Sequence, residues 1–382
     1  MKLERFAGDD PRDLLRALRS ALGAGPAIAV GAADGLPADV PAGTAVVLTT
    51  SGSTGVPKSV VLSRHALTAS ALATRERIGA GQWLLPLAPT YIAGVQVLVR
   101  GLVEGTEPAV LSGRFSAQAF AHVVSGMRSS RGGERVPTYT SLVPAQLQTL
   151  VDAAAESAEV QRALASFEAI LVGGQALPVA LRERAAELGA RIVRTYGSTE
   201  TSGGCVYDGV PLDGVRVAEV GGELRIAGPV LADGYLDAEL TARTFATDGD
   251  GIRWYRTGDA GAVADGAVSV TGRIDNVIVS GGVNVSLDRV ERAVRELPGL
   301  ADAVVVGAPD ERWGETPVVV ATRRAEDAPS LDVVRAAVAA AVGKPARPSH
   351  LVLVDALPRL ASGKPDRQAI RSLVRGQGEP AS

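Results

Sequence analysis

The stretch TTSGSTGVPKS, residues 49–59, gathers hydroxyls, glycines and one lysine between a β-branched run and a helical pattern. Backbone N–H groups of small residues approach a phosphate closely, and hydroxyls add further donors. A helix that follows such a loop adds its positive N-terminal end. Thr50, Ser51, Gly52, Ser53, Thr54 and Gly55 would form the loop. Lys58 would neutralise β- and γ-phosphates as a point charge. The nearest general motif is the Walker A loop, G-x-x-x-x-G-K-S/T, which Gly52, Lys58 and Ser59 fit. Pro57 replaces its second glycine; proline has no N–H and a fixed φ, so that nest cannot form unchanged. A plain Gly/Ser surface loop is the competing reading.

Four further segments carry chemistry less strongly. YGSTET, residues 196–201, follows the strand-like RIVRT. Thr199 there could meet a phosphate, and Glu200 could meet Mg²⁺, which prefers oxygen ligands; a simple turn explains it about as well. In YRTGD, residues 255–259, Asp259 could accept two ribose hydroxyls or sit idle in a turn. GRIDNVIVSGG, residues 272–282, reads as a strand ending in a Gly-Gly turn. LASGKPDR, residues 360–367, reads as a turn before a last helix. Only four of the 39 basic residues are lysine, and Lys58 and Lys364 both lie in Gly/Pro-punctuated loops. A compact ammonium retained among so many arginines hints at a site that a planar fork would not serve.

The elements that must position these loops are legible in outline. PRDLLRALRSAL, residues 11–22, is an amphipathic helix, with Pro11 at its first position. TAVVLTT, residues 44–50, is a buried strand, and a helix is expected over about 63–77. Strand and helix patterns then alternate to RIVRTYG, which implies an α/β fold with a largely parallel sheet flanked by helices. Residues 203–274 read as a β-rich subdomain of short strands with Gly and Asp turns. From residue 275 the pattern is mixed again, with Ser286 as a helix N-cap. The expected division is a large domain over 1–274 and a small α+β domain over 275–382; the resemblance described below would make the first the ATP- and acyl-binding domain.

The chain has 382 residues, enough for two or three domains. A net charge of −3 argues against nucleic acid held by a global field. The single cysteine, Cys205, excludes a disulfide framework and a cysteine-based zinc site, and reads as a small buried residue. There is no signal-peptide pattern and no apolar run long enough for a membrane span, so a cytoplasmic protein is expected. Three histidines share no motif, and no G-x-S-x-G elbow occurs, which disfavours a serine hydrolase.

Taken together and in this order, the segments resemble those of the adenylate-forming superfamily of acyl-CoA synthetases, peptide-synthetase adenylation domains and luciferases, over nearly the whole chain from Val46 to Arg371. The resemblance makes TSGSTGVPK the phosphate loop. It makes Tyr196, Gly197, Ser198, Thr199 and Glu200 the adenine- and Mg²⁺-binding motif, with Glu200 on the metal. Asp259 and Arg273 become the ribose contacts, Asp275 the hinge, and Lys364 the catalytic lysine of a mobile C-terminal domain. LVGGQALP, with Gly174 and Gln175, resembles the segment packed on adenine. SLVPAQLQTL, with Ser141, and GRIDNVIVSGGVNVSLDRVE look like the o-succinylbenzoate–CoA ligases of menaquinone biosynthesis. Tyr91 is the candidate gate of the acyl pocket, so Tyr91, Ser141 and Gly174 form the implied substrate set.

What the resemblance implies is an ATP-dependent ligase that makes acyl-AMP and pyrophosphate, then an acyl-CoA, from a small aromatic carboxylic acid and coenzyme A. Another aryl or fatty acid–CoA ligase, or an enzyme loading a carrier protein, is the alternative within the class. A Walker-type ATPase or kinase is the alternative outside it, and would yield ADP. The phosphate loop comes nearer the N-terminus than in most of the superfamily, so a shortened N-terminal region is expected, with a homodimer covering the surface it leaves.

Overall fold

The computed structural model describes residues 1–8, 10–31, 35–50, 57–127, 130–323, 329–360 and 363–377. Of the expected phosphate loop, Ser51, Gly52, Ser53, Thr54 and Gly55 therefore lie outside the described residues.

Four main sheets organise the described residues. The first runs in the order Leu3–Arg5, Ala27–Val30, Thr44–Thr50, Lys58–Ser63, Gly234–Tyr235. Its first three strands are parallel and the other two join antiparallel. The second has seven strands, and five of them, from Ile192–Ser198 through Ala169–Val172, Thr138–Leu142 and Gln82–Leu85 to Ala109–Val110, are parallel. The largely parallel α/β reading holds for the second sheet, while the first is mixed, with two parallel and two antiparallel pairings. Helix Ile92–Val103 is apolar nearly all round and is buried, as such a helix must be.

One expectation fails at the phosphate loop. Lys58–Ser63 is a strand paired antiparallel with Thr44–Thr50, and helix Arg64–Ile78 begins only after it. The loop thus joins two strands, and no helix N-terminus stands at its end. KSVVLS places Val60 and Leu62 at 0% exposure against the core, and that burial decides for a strand.

Of the β-rich region expected over 203–274, Gly203–Tyr207 and Val210–Pro211 extend the second sheet and Gly234–Tyr235 the first, whereas the other strands from Arg216 to Arg273 build a five-stranded antiparallel sheet. Its long member, Arg253–Ala264, is a single strand rather than several short ones. Asp259 therefore sits within a strand, beside Gly258 at φ +68° and a register shift at Ala260/Gly261.

From Val277 onward the chain builds its own sheet, Val283–Ser286, Val277–Ser280, Gly314–Thr322 and Val304–Asp310, with His350–Val354 added parallel to Gly314–Thr322. Helix Leu287–Arg295 has Ser286 at its N-cap, accepting from the Arg289 N–H. It buries Val290 and Val294 in a core shared with Val305, Val319 and Val334, all fully buried. Each such side chain contributes about 1.5–3 kcal/mol. The region thus has a core separate from that of the first two sheets.

Candidate active site

Strand Ile192–Ser198 ends in a tight turn, Thr199–Thr201, that sets Thr199 and Glu200 at its carboxyl end. The turn is held by the Ser198 N–H donating to Thr201 Oγ1 at 2.8 Å. Gly197 lets the returning strand Gly203–Tyr207 come close, since a Cβ there would lie 2.1 Å from the Gly203 carbonyl oxygen. Thr199 is buried. Glu200 Oε1 accepts a 2.7 Å bond from the Tyr235 hydroxyl. Burial and the Glu200 charge push the Tyr235 phenol far up, so it stays a donor. Tyr235 arrives on the edge strand of the first sheet, from 35 residues downstream.

A second carboxylate, Asp259, faces the same strand. Tyr196 donates to its Oδ2 at 2.7 Å and Arg273 Nη1 to its Oδ1 at 3.2 Å. Burial raises the Asp259 carboxyl from its ordinary value, while Tyr196 and Arg273 pull it back. An ionised carboxylate has about four acceptor sites, so room remains for two hydroxyl donors. Gly258 lets the Arg273 guanidinium lie against the backbone, since a Cβ there would be 3.0 Å from Nη2. Arg273 also holds Asp275 through Nε and Nη2, at 3.0 and 3.1 Å. That pairing keeps the Asp275 carboxyl below the usual range, with Lys58 adding to the effect through its charge. Lys58 is therefore electrically part of the site. Thr50, its strand partner, donates Oγ1 to the Lys58 carbonyl at 3.4 Å.

Lys364 enters from the C-terminal region. A Cβ on Gly174, at φ +82°, would lie 3.3 Å from Lys364 Cε and 3.9 Å from Nζ. Burial pushes the Lys364 ammonium below its ordinary value, and the Glu200 charge opposes that shift. The arrangement is a compact cation that lies against Gly174, keeps part of its surface exposed, and stands within electrostatic reach of Glu200. It suits a position where negative charge gathers.

Gln175 turns instead into a cleft of about 280 Å³, shared with Asp152, Arg295, Asp302 and Arg359. Ser141 is buried in strand Thr138–Leu142 opposite Leu171. Two residues on, Val143 lies 3.9 Å from a Cβ at Gly174 and 3.4 Å from one at Gly363. Tyr91 is half-buried at the N-cap of helix Ile92–Val103.

The N-terminal part, residues 18–236, matches the family model of AMP-binding enzymes, and residues 289–364 match that of the AMP-binding enzyme C-terminal domain. The chain is an AMP-binding enzyme. It is 41% identical over 346 residues to a probable 2-succinylbenzoate–CoA ligase of Mycobacterium tuberculosis, covering 88% of this chain and 86% of that one. Among solved structures it is similar to an Escherichia coli MenE variant with bound OSB-AMS, at 27% identity and a TM-score of 0.72, over 91% of this chain and 72% of the other. It is likewise similar to the Bacillus subtilis o-succinylbenzoate CoA synthetase in complex with the acyl-adenylate intermediate OSB-AMP, at 26% identity and a TM-score of 0.72, over 89% and 72%. No helix among the described residues of this AMP-binding enzyme is long and apolar enough to cross a membrane.

Tyr235 escaped the sequence reading because nothing local marks it; its role follows from long-range strand pairing. Arg100 escaped too. It is 4% exposed on helix Ile92–Val103, forms no ion pair within 4 Å among the described residues, and leaves Nε without a partner. It rests 4.7 Å over the Trp83 ring and donates to the Tyr207 hydroxyl at 3.4 Å. The signal was available: Gln96 and Arg100 are one helical turn apart in an otherwise apolar helix.

Proposed function

We propose that this AMP-binding enzyme activates o-succinylbenzoate with ATP and transfers the acyl group to coenzyme A. In the first half-reaction a carboxylate oxygen attacks the α-phosphorus, the bond to the bridging oxygen breaks, and pyrophosphate leaves. In the second the CoA thiol loses its proton and attacks the acyl carbonyl, and AMP leaves. Lys364 would neutralise charge where carboxylate and α-phosphate converge, and Thr199 would donate to the phosphate. Lys58 and the hydroxyl-rich loop would hold the departing phosphates. Asp259 would accept the ribose hydroxyls, with Arg273 beside it. Such catalysis is positioning and charge stabilisation, with no protein nucleophile.

Glu200 is the residue that would hold Mg²⁺, whose chemistry there is to offset the charge of the phosphates. The fit is sound. Among the described residues there is no cluster of three acidic, histidine or cysteine groups. A single oriented carboxylate suits an ion that keeps its waters and takes its other oxygens from substrate phosphates.

The observation that carries the reading is the position of Lys364 beside Gly174, within reach of the Glu200 charge, in a chain 41% identical to a probable 2-succinylbenzoate–CoA ligase. The deciding experiment is pyrophosphate release from ATP with a panel of carboxylic acids, with and without CoA. Release with o-succinylbenzoate, AMP as the nucleotide product and thioester formed only with CoA are expected. ADP as product, or preference for a monocarboxylate, would reject the reading.

A further inference from the structure

Asp288 ties the two sides of the segment 273–276 together. It sits in the first turn of helix Leu287–Arg295, in the C-terminal region. Its Oδ2 accepts from the Arg273 backbone N–H at 2.7 Å, and its Oδ1 from Asn276 Nδ2 at 2.7 Å. The approach is tight enough to require glycine at 272, where a Cβ would lie 2.7 Å from Asp288 Cβ. One turn further along the same helix, Arg292 Nη2 donates to the carbonyls of Val270 and Thr271, at 3.0 and 3.5 Å. Arg367, three residues past Lys364, stands 3.8 Å from Asp288 Oδ1 and 2.7 Å from Glu291 Oε2. The helix is therefore fastened at one end to the strand that carries Arg273, and on its flank to the segment that carries Lys364.

We propose that Asp288 is a positioning residue for acyl-AMP formation: its bond to the Arg273 N–H latches the C-terminal region in the orientation that brings Lys364 to Glu200. This rests on the two-step reading above and on the hinge at Asp275 that the resemblance implies, about which the region would turn between half-reactions. A turn there separates residue 273 from residue 288, so the latch exists in one orientation only. It favours the first half-reaction and opposes entry into the second. A charge-assisted bond to a backbone N–H is among the stronger hydrogen bonds available for this purpose. A purely structural role is the alternative, since an acidic residue in a first helical turn also favours the helix through its dipole.

Two variants of the full chain separate these. Asp288→Ala removes both bonds, and Asp288→Asn keeps an acceptor for the Arg273 N–H. In a single turnover with ATP, Mg²⁺ and o-succinylbenzoate, Asp288→Ala should release pyrophosphate about tenfold more slowly. Transfer from supplied acyl-AMP to CoA should be unchanged or faster, and Asp288→Asn should recover most of the lost rate. Hydrogen exchange in a peptide spanning 271–276 should speed up in Asp288→Ala, with the strands at 138–142 and 169–172 unaffected. Equal loss in both half-reactions, no recovery by asparagine, or unchanged exchange at 271–276 would overturn the latch. If the unaltered enzyme released no pyrophosphate with any acid, the functional reading would fall, and the exchange comparison would still decide the latch.

Discussion

Arg273 grips Asp275 at two points, Nε to Oδ1 at 3.0 Å and Nη2 to Oδ2 at 3.1 Å, while its Nη1 reaches Asp259 at 3.2 Å. One guanidinium thus serves both the candidate ribose acceptor and the proposed hinge. With side-chain exposures of 39% and 52%, the Arg273–Asp275 pair is worth roughly 1 kcal/mol or less. That is too little to lock an orientation and enough to bias one when Asp259 takes up a ligand.

The hinge is tested at Asp275. Proline fixes φ near −65° and restricts Ile274 as well. Asp275→Pro should keep adenylation within about tenfold, roughly 1.4 kcal/mol, and lose far more of thioester formation. Asp275→Ala, which removes the carboxylate and leaves φ free, should retain both. Normal transfer to CoA in a folded proline variant, checked by circular dichroism and melting, would move the hinge elsewhere.

Lys364 makes a prediction of two signs. Its ammonium is held below the ordinary value near 10.5 by burial, so between those two pKa values the unfolded chain binds more protons and stability rises with pH. Below that window the charge is held at a cost that its partial exposure keeps small. Lys364→Met should leave the melting temperature at pH 7 unchanged or higher. It should lower acyl-AMP formation by about 10²–10³-fold, the usual loss of a preorganised charge stabiliser. Transfer from supplied acyl-AMP should survive. A lower melting temperature with both steps impaired would make the lysine structural.

Lys58 stands close enough to lower the Asp275 carboxyl. Lys58→Ala should raise the ATP concentration needed for pyrophosphate release, because the leaving group loses a counter-charge. Titration curves that superimpose on those of the unaltered enzyme would remove Lys58 from the phosphate site.

Arg100→Lys keeps a buried cation and gives up the planar fork that lies over Trp83. The melting temperature should fall, with the KM values for the acid and for ATP unchanged. A selective rise in the KM for the acid would instead tie Arg100 to acid recognition.

Burial pushes the Cys205 thiol up to about 12. Iodoacetamide at pH 8 should leave the folded enzyme unmodified and active, and should label Cys205 once the chain is unfolded, as read by mass spectrometry. Labelling of the folded chain would contradict its complete burial.

Much of the site was legible because its parts announce themselves locally. YGSTET ends a strand, YRTGD and GRIDN lie opposite one another in a pair that joins Asp259 to Arg273, and SGKPDR sets Lys364 before a last helix. What failed was local geometry judged by analogy. The loop at 49–59 was expected to lead directly into the helix at about 63–77, whereas the apolar run Val60–Leu62 is buried as a strand first. The turn held open as an alternative for Asp259 does not form: YRTGD lies within one continuous strand, in which Gly258 takes φ +68°. Tyr235, Arg100 and Asp288 stayed hidden because their partners lie 35, 107 and 15 residues away, beyond any window over which periodicity speaks.

Gly174 has a use as a tool. A Cβ there would stand 3.3 Å from Lys364 Cε, and at φ +82° it would also strain the backbone that carries it. A bulkier residue at 174 would therefore act as a wedge with a cost, crowding the lysine of the C-terminal region while loosening its own turn.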